Sequence, residues 1–486
     1  MLTLRNIKVW DTDEIIDLKV PTDGTLFEDG ARGADGSATA DDIEIDATGL
    51  TLAPGFADPH VHFRDPGQTY KESMISGCAA AASGGYTDVL IMPNTVPAMD
   101  GERISDPAAP GAKEVLDAGY DTVIDYLQHY GTVHGVNLPV RYDLCVCASK
   151  GRAGHEATDF AKWRRYMPGV DDETKDAGQL DHPVTAISDD GSAVTPETLD
   201  DVLALAKASG LTLIEHCEHH DTGAVNEGPV SRELGVPGIP EDTELKVVAR
   251  DIAKARETGV HIHFQHVSTA ISFEAIRAAK AEGLPITCET APHYLALSDE
   301  ALLEYGTLAK MNPPLRSEAD RKATIAAIAD GTVDLLATDH APHTMEEKER
   351  GFLEAPNGII GLECAYGVCH SRLVDGGFIS DKRLIELMSV EPMRLMGHEP
   401  TDVNALLDRE TDASREPDAK RVLDLSAVRD ETADGIGLVV LDTAAEWTID
   451  PEAFHSKARN TPFGGWKVTG RPLATIIGRN LAFSRI

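Results

Sequence analysis

Two histidines spaced two apart, in Pro59-His60-Val61-His62-Phe63-Arg64-Asp65, are the first side chains whose types and spacing suggest chemistry. On a β-strand, side chains two apart share a face, so both imidazoles can aim at one ion. Arg64 continues that parity, and its planar guanidinium suits a carboxylate held beside a metal. By itself the His-x-His pair fits surface or hydrogen-bonded histidines equally well. The metal reading needs further ligands from the rest of the chain.

Those candidates recur at one kind of place, the end of an apolar run. Asp189-Asp190 follow "PVTAIS", His216 ends "LTLIE", His266 ends "VHIHFQ" and Asp339 ends "VDLLAT". Each has an ordinary alternative: a histidine bonded to nearby backbone, or an aspartate opening a turn before Gly191. Together they present imidazole or carboxylate at five strand ends, where α/β barrels build their sites. Four imidazoles and two carboxylates suit zinc, with manganese, cobalt or iron as substitutes. Six ligands exceed the need of one tetrahedral ion, so two ions sharing a carboxylate is the economical arrangement. Asp339, a carboxylate beside the ions, is placed to accept a proton and pass it to a leaving nitrogen. The apparatus reads as metal-assisted hydrolysis.

The elements that must position these residues alternate. "SMISGCAAAASGG" precedes "TDVLIMPN", "TPETLDDVLALAKASG" precedes "LTLIEHCE", and "TELKVVARDIAKARETG" precedes "VHIHFQHVS". "FEAIRAAKAEG" and "SEADRKATIAAIADG" lead into strands in the same way, each helix ending at glycine. Repeated β-α units predict a parallel sheet with right-handed crossovers. Their number and the absence of a Gly-x-Gly-x-x-Gly opening favour a closed (β/α)₈ TIM-type barrel over a dinucleotide-binding sheet. Both chain ends read as short strands and turns. We therefore expect a small β-sandwich domain from residues 1–53 and 435–486, a barrel over 54–400, and a charged insertion or linker over 401–434. Trp163 to Leu180 reads as a polar surface loop.

The chain has 486 residues and a net charge of −37, from 81 acidic and 44 basic residues. That excess disfavours nucleic acid and anionic membranes as partners. No apolar run has the length of a membrane span, and the charged N-terminus is unlike a signal peptide. Seven scattered cysteines, mostly within apolar segments, fit reduced thiols and a cytoplasmic setting. Cys145 and Cys147 read as buried strand residues.

"DPHVHFRDPG", "KES", "MPNTVP", "SDDGSAV", "HVST", "MNPPLR", "ATDHAPH" and "NTPFGGW" resemble the dihydroorotases of the long bacterial type (class I) in the amidohydrolase superfamily. The resemblance runs from Thr51 to about Gly397 and resumes from Gly435. It implies one zinc held by His60, His62 and Asp339, and a second by His216 and His266, with Asp190 bridging. Asp190 is preferred to Asp189 because the family uses the second aspartate of this motif. It also implies that Arg64, Asn94 and His343 hold a substrate carboxylate, while Asn312 and the Asn357-Gly358 backbone meet the ring. Asn94 and Asn312 also fit turn residues beside prolines. Two departures stand out. Many relatives bridge their metals with a carboxylated lysine, for which Lys150 is the sole candidate, more naturally read as a surface residue. The usual Phe-Gly of the ring-closing loop is Asn357-Gly358. The implied reaction is interconversion of N-carbamoyl-L-aspartate and L-dihydroorotate in pyrimidine synthesis. Rivals are another cyclic-amide hydrolase (dihydropyrimidinase, hydantoinase, allantoinase) and an inactive barrel supporting an aspartate carbamoyltransferase. The resemblance is compatible with a homo-oligomer.

Overall fold

The computed structural model describes residues 1–22, 26–27, 43–170, 180–218, 223–410 and 420–486. Eight parallel strands form its centre: β1 (Phe56–Val61), β2 (Tyr86–Ile91), β3 (Arg141–Cys147), β4 (Val184–Ser188), β5 (Thr212–Glu215), β6 (Ile262–Phe264), β7 (Ile286–Thr290) and β8 (Leu335–Leu336). They pair in sequence order, each with the next. A parallel bridge between Val61 and His340 brings the last strand's extension back to the first. The His62 amide donates to the His340 carbonyl there, at 3.0 Å. The sheet is thus the expected α/β barrel. Both β1 and β2 are buried at every position, as strands covered on both faces must be.

The helices follow the glycine punctuation. Leu199–Ser209 and Asp242–Thr258 end at Gly210 and Gly259, which hold φ of 73° and 70°. Only glycine takes that left-handed turn cheaply, and the turn redirects the chain into the next strand. Both chain ends join one nine-stranded sheet. Thr51–Pro54 lies inside it, pairing antiparallel with Gly437–Thr448 and parallel with Leu2–Val9. Leu4, Ile7 and Leu18 share a core there with Leu438, Val440 and Ile476. Thr51–Pro54 therefore belongs to the end sheet, and β1 begins after Gly55.

Two segments differ from expectation. Trp163, Tyr166 and Met167 are buried, because their large apolar surfaces pack into the main core. The expectation of a polar surface loop therefore fails at Trp163, Tyr166 and Met167, and residues 171–179 lie outside the described residues. Within 401–434, Val403, Leu406, Leu407, Leu423 and Leu425 are buried in the core of the end sheet. The flanks of that segment belong to the sheet, and its charged centre, residues 411–419, lies outside the described residues. All seven cysteines are buried and free. Among the described residues, no helix is long and apolar enough to cross a membrane.

Candidate metal centre and active site

The C-terminal ends of the strands bring the six candidate ligands together. Their donor atoms fall into three overlapping buried groups: His60/His62/Asp190, His60/His266/Asp339 and Asp190/His216/His266. Within each group the atoms lie within 4.8 Å of one another. Asp190 stands at the junction. Its Oδ2 is 3.3 Å from His62 Nε2; its Oδ1 is 3.2 Å from His60 Nε2, 3.4 Å from His216 Nδ1 and 4.0 Å from His266 Nε2. Asp339 Oδ1 is 3.1 Å from His62 Nε2 and 3.5 Å from His60 Nε2. Asp189 has other work: its carboxylate accepts the Ser149 amide and hydroxyl.

Neighbours set the orientation of the rings. His60 Nδ1 is 2.7 Å from Glu289 Oε1, and His62 Nδ1 is 2.8 Å from Asn94 Oδ1. Both acceptors require the ring proton on Nδ1, which turns the Nε2 lone pairs toward the Asp190 and Asp339 oxygens. Lone pairs and carboxylates repel at 3.1–3.5 Å unless a cation lies between them. His266 Nε2 and His216 Nδ1 meet at 2.8 Å beside Asp190. This donor set fits divalent metal. Burial opposes the charge on Asp190, but His60, His62 and His216 outweigh it and hold the carboxyl well below its usual range.

A cavity of about 240 Å³ opens over the cluster. Every residue designated from the sequence lines it except His60, which is fully buried beneath. Arg64 lies partly exposed in this cavity, and burial pulls its guanidinium down to about 10. No carboxylate lies within ion-pair distance of it among the described residues, and its Nε has no partner. Lys71 Nζ donates to His343 Nδ1 at 3.2 Å. His343 Nε2 lies 3.4 Å from the Arg64 guanidinium. Burial, reinforced by Arg64, Lys71 and Lys348, keeps His343 neutral. The Arg64 guanidinium therefore lines the cavity beside His343 with no carboxylate partner among the described residues, an arrangement that fits a carboxylate oxygen. Asn94 has its oxygen committed to His62 and its Nδ2 at 3.5 Å from Asp190. Asn312 Nδ2 lies 3.3 Å from His216 Nε2.

The sequence profile of the amidohydrolase family matches residues 51–401. The chain belongs to the amidohydrolase family. It is 37% identical over 483 residues to a dihydroorotase of Citrifermentans bemidjiense, covering 98% of both chains. A dihydroorotase of Geotalea daltonii is 38% identical over 479 residues, covering 97% of this chain and 96% of that one. Among solved structures, a dihydropyrimidinase from Brevibacillus agri superposes with a TM-score of 0.68 at 21% identity, covering 99% and 94%. An L-hydantoinase from Arthrobacter aurescens gives 0.67 at 21% identity, covering 100% and 96%. At that identity the two structures establish the shared fold alone.

Some site residues reach the amidohydrolase cavity differently from the sequence reading. Arg64 does not continue the strand parity of His60, because β1 ends at Val61 and Arg64 turns left-handed, with φ 57°. His266 and Asp339 do the same, with φ of 36° and 47°. Each such conformation costs a non-glycine residue roughly 1–2 kcal/mol and persists because its surroundings enforce it. Asp58 supplies part of that enforcement. Its buried carboxylate accepts the His60 and Thr338 amides and the Thr338 hydroxyl, tying β1 to the residue before Asp339. Burial raises its pKa to about 7. Sequence reasoning passed over Asp58, Lys71 and Glu289. The inward strand position of Glu289 is the only signal that pointed to it. Lys150 pairs with exposed Glu156.

Proposed function

We propose that this amidohydrolase is a dihydroorotase, interconverting N-carbamoyl-L-aspartate and L-dihydroorotate in pyrimidine synthesis, with two zinc ions per subunit. The observation that carries the reading is the Arg64 guanidinium, without a carboxylate partner among the described residues and next to His343, beside the ligand cluster. Rings handled by dihydropyrimidinase, hydantoinase or allantoinase lack the carboxylate that this pair fits. The curated relatives matched over nearly the whole chain are dihydroorotases, which supports the same reading.

In this assignment His60, His62, Asp339, His216, His266 and Asp190 would hold the ions. The ions, when bound, supply an activated water and polarise the ring carbonyl. The protein does the rest. Arg64, His343 and Asn94 hold the carboxylate, fixing which ring carbonyl faces the cluster. Asn312 and the Asn357-Gly358 backbone meet the ring's amide groups. Asp339 takes the proton of the attacking water and delivers it to the ring nitrogen as the C–N bond breaks, leaving a ureido group and a new carboxylate. The reverse direction consumes one proton, so lower pH favours the ring. The covered thiols and acidic surface fit a cytoplasmic enzyme.

The test is an assay of carbamoyl-aspartate cyclisation with and without chelator, beside ring opening of dihydrouracil, hydantoin and allantoin. Chelator-sensitive turnover of the carboxylate-bearing pair alone supports the reading. Turnover of the uncharged rings alone refutes it.

A further inference from the structure

Two buried lysines stand behind the cavity wall, and no step above uses them. Lys348 is 1% exposed, at the end of the short helix Met345–Lys348. Its ammonium donates to three backbone carbonyls: Lys310 at 3.2 Å, Pro356 at 3.0 Å and Gly358 at 3.0 Å. Lys310 Nζ donates to the Ala355 carbonyl at 2.6 Å, and its own carbonyl accepts the Gly358 amide at 3.1 Å. Among the described residues, neither ammonium has a carboxylate within ion-pair distance. A buried cation without a counter-ion is unfavourable, and an apolar side chain of equal length would fill the space more cheaply. Two of the three Lys348 donors instead go to the segment around residues 355–358, whose Asn357 and Gly358 line the cavity, and the third goes to Lys310, whose carbonyl also accepts the Gly358 amide.

That segment is pressed against the carboxylate side of the site. Gly358 has φ of 150°, and a Cβ there would lie 2.6 Å from the Ala341 carbonyl and 2.7 Å from His343 Cδ2. Asn460, fully buried, reaches in from the C-terminal segment. Its Nδ2 donates to the Ala341 and Gly358 carbonyls, both at 3.0 Å, and its Oδ1 accepts the His343 amide at 3.0 Å. The Gly358 carbonyl thus receives both Lys348 and Asn460.

We propose that Lys348 is a positioning residue, whose ammonium clamps the Asn357-Gly358 backbone against the ring-binding side of the cavity, with Lys310 and Asn460 as supports. The proposal rests on the dihydroorotase reading for its substrate and deepens the assignment of this loop. An ammonium has three donors for three carbonyls. A neutral amine has two, and its lone pair would face the third. The charged and titratable groups around Lys348 are Lys310 and His343. Burial, then the like charge of Lys310, brings Lys348 down to about 7, so loss of its proton falls within the working range of such an enzyme. Rising pH should therefore loosen the loop and weaken substrate binding, with chemistry at Asp339 little affected.

The experiment measures kcat and KM for dihydroorotate from about pH 6 to about pH 9 in the full-length zinc-loaded protein and in Lys348→Met. Amide hydrogen exchange of residues 355–360 is followed in parallel. The variant should raise KM about tenfold, change kcat by less than about twofold, and exchange faster in that segment but not in the barrel strands. Its KM should also lack the rise that the parent shows above neutral pH. Parental KM and exchange in the variant, or a loss confined to kcat, would overturn the clamp. If Lys348→Met does not fold, the parent decides the matter. Protection at 355–360 that falls with pH beyond the intrinsic exchange rate supports the clamp, and unchanged protection refutes it. Should the parent turn over no dihydroorotate, the functional reading falls, while the exchange measurement still tests the clamp.

Discussion

Replacing Arg64 by methionine keeps the side chain's reach and removes a guanidinium that lies 3.4 Å from His343 Nε2 with no carboxylate partner among the described residues. A hydrogen bond to a charged group contributes about 1.5–3 kcal/mol. At about 1.4 kcal/mol per tenfold, KM for dihydroorotate should rise roughly 10- to 150-fold. Because the proposed role of Arg64 is to grip the carboxylate rather than the reacting carbonyl, kcat should fall much less. Stability should move the other way. The drop in the Arg64 pKa from 12.5 to about 10 corresponds to roughly 3 kcal/mol against the charged form. Water in the cavity screens part of this, leaving about 1–2 kcal/mol that methionine would recover. In a chain of this size that is a rise in Tm of about 1–2 °C in the substrate-free protein. Steady-state kinetics and a thermal melt on the same preparation check both arms. A KM within about twofold of the parent would show that the carboxylate is held elsewhere.

Asp339→Asn should abolish turnover while dihydroorotate still binds; near-parental kcat, measured beside a binding titration, would remove Asp339 from the proton path. Asp190→Asn should lower bound metal per chain, whereas Asp189→Asn, which loosens only the Ser149 contacts, should leave it unchanged. Elemental analysis after dialysis distinguishes them, and the opposite pattern would make Asp189 the bridge. His398 pairs with Asp143 on β3, and this hydrogen bond, working against burial, raises the imidazole pKa. A raised histidine stabilises the fold below its unfolded pKa of 6.5, and the contribution fades as pH climbs through the folded value. His398→Gln should therefore lower Tm at about pH 6 and have little effect at about pH 9, by thermal melts; an equal loss at both would show that the charge plays no part.

Much of the fold and site was legible because barrel chemistry sits at a repeating place. An apolar run followed by histidine or aspartate marks a strand end, and glycines with positive φ mark the helix ends between them. Gly210 and Gly259 behave as the pattern required. The pattern failed where burial depends on distant partners. Trp163 lies in a polar stretch of sequence, yet its ring is covered by the main core. Val403 and Leu407 flank a charged run, yet they fill the end sheet. Neither outcome has a local signal, since periodicity reports which face is apolar and not what covers it.

By itself, the sequence determined the ligand types, their order along the chain and the parallel barrel that gathers them, because each follows from local alternation and side-chain chemistry. Tertiary structure alone decided how those ligands are aimed. The proton positions on His60 and His62 follow from Glu289 on β7 and Asn94 in the loop after β2. Asp190 rather than Asp189 meets the histidines because Ser149, forty residues away, occupies the other carboxylate. Arg64 enters the cavity through a left-handed turn and faces His343, 279 residues further along the chain, whose other ring nitrogen meets Lys71. Charge pairing and hydrogen-bond direction depend on distances of a few ångströms between segments far apart in the chain, and only the folded barrel sets those distances.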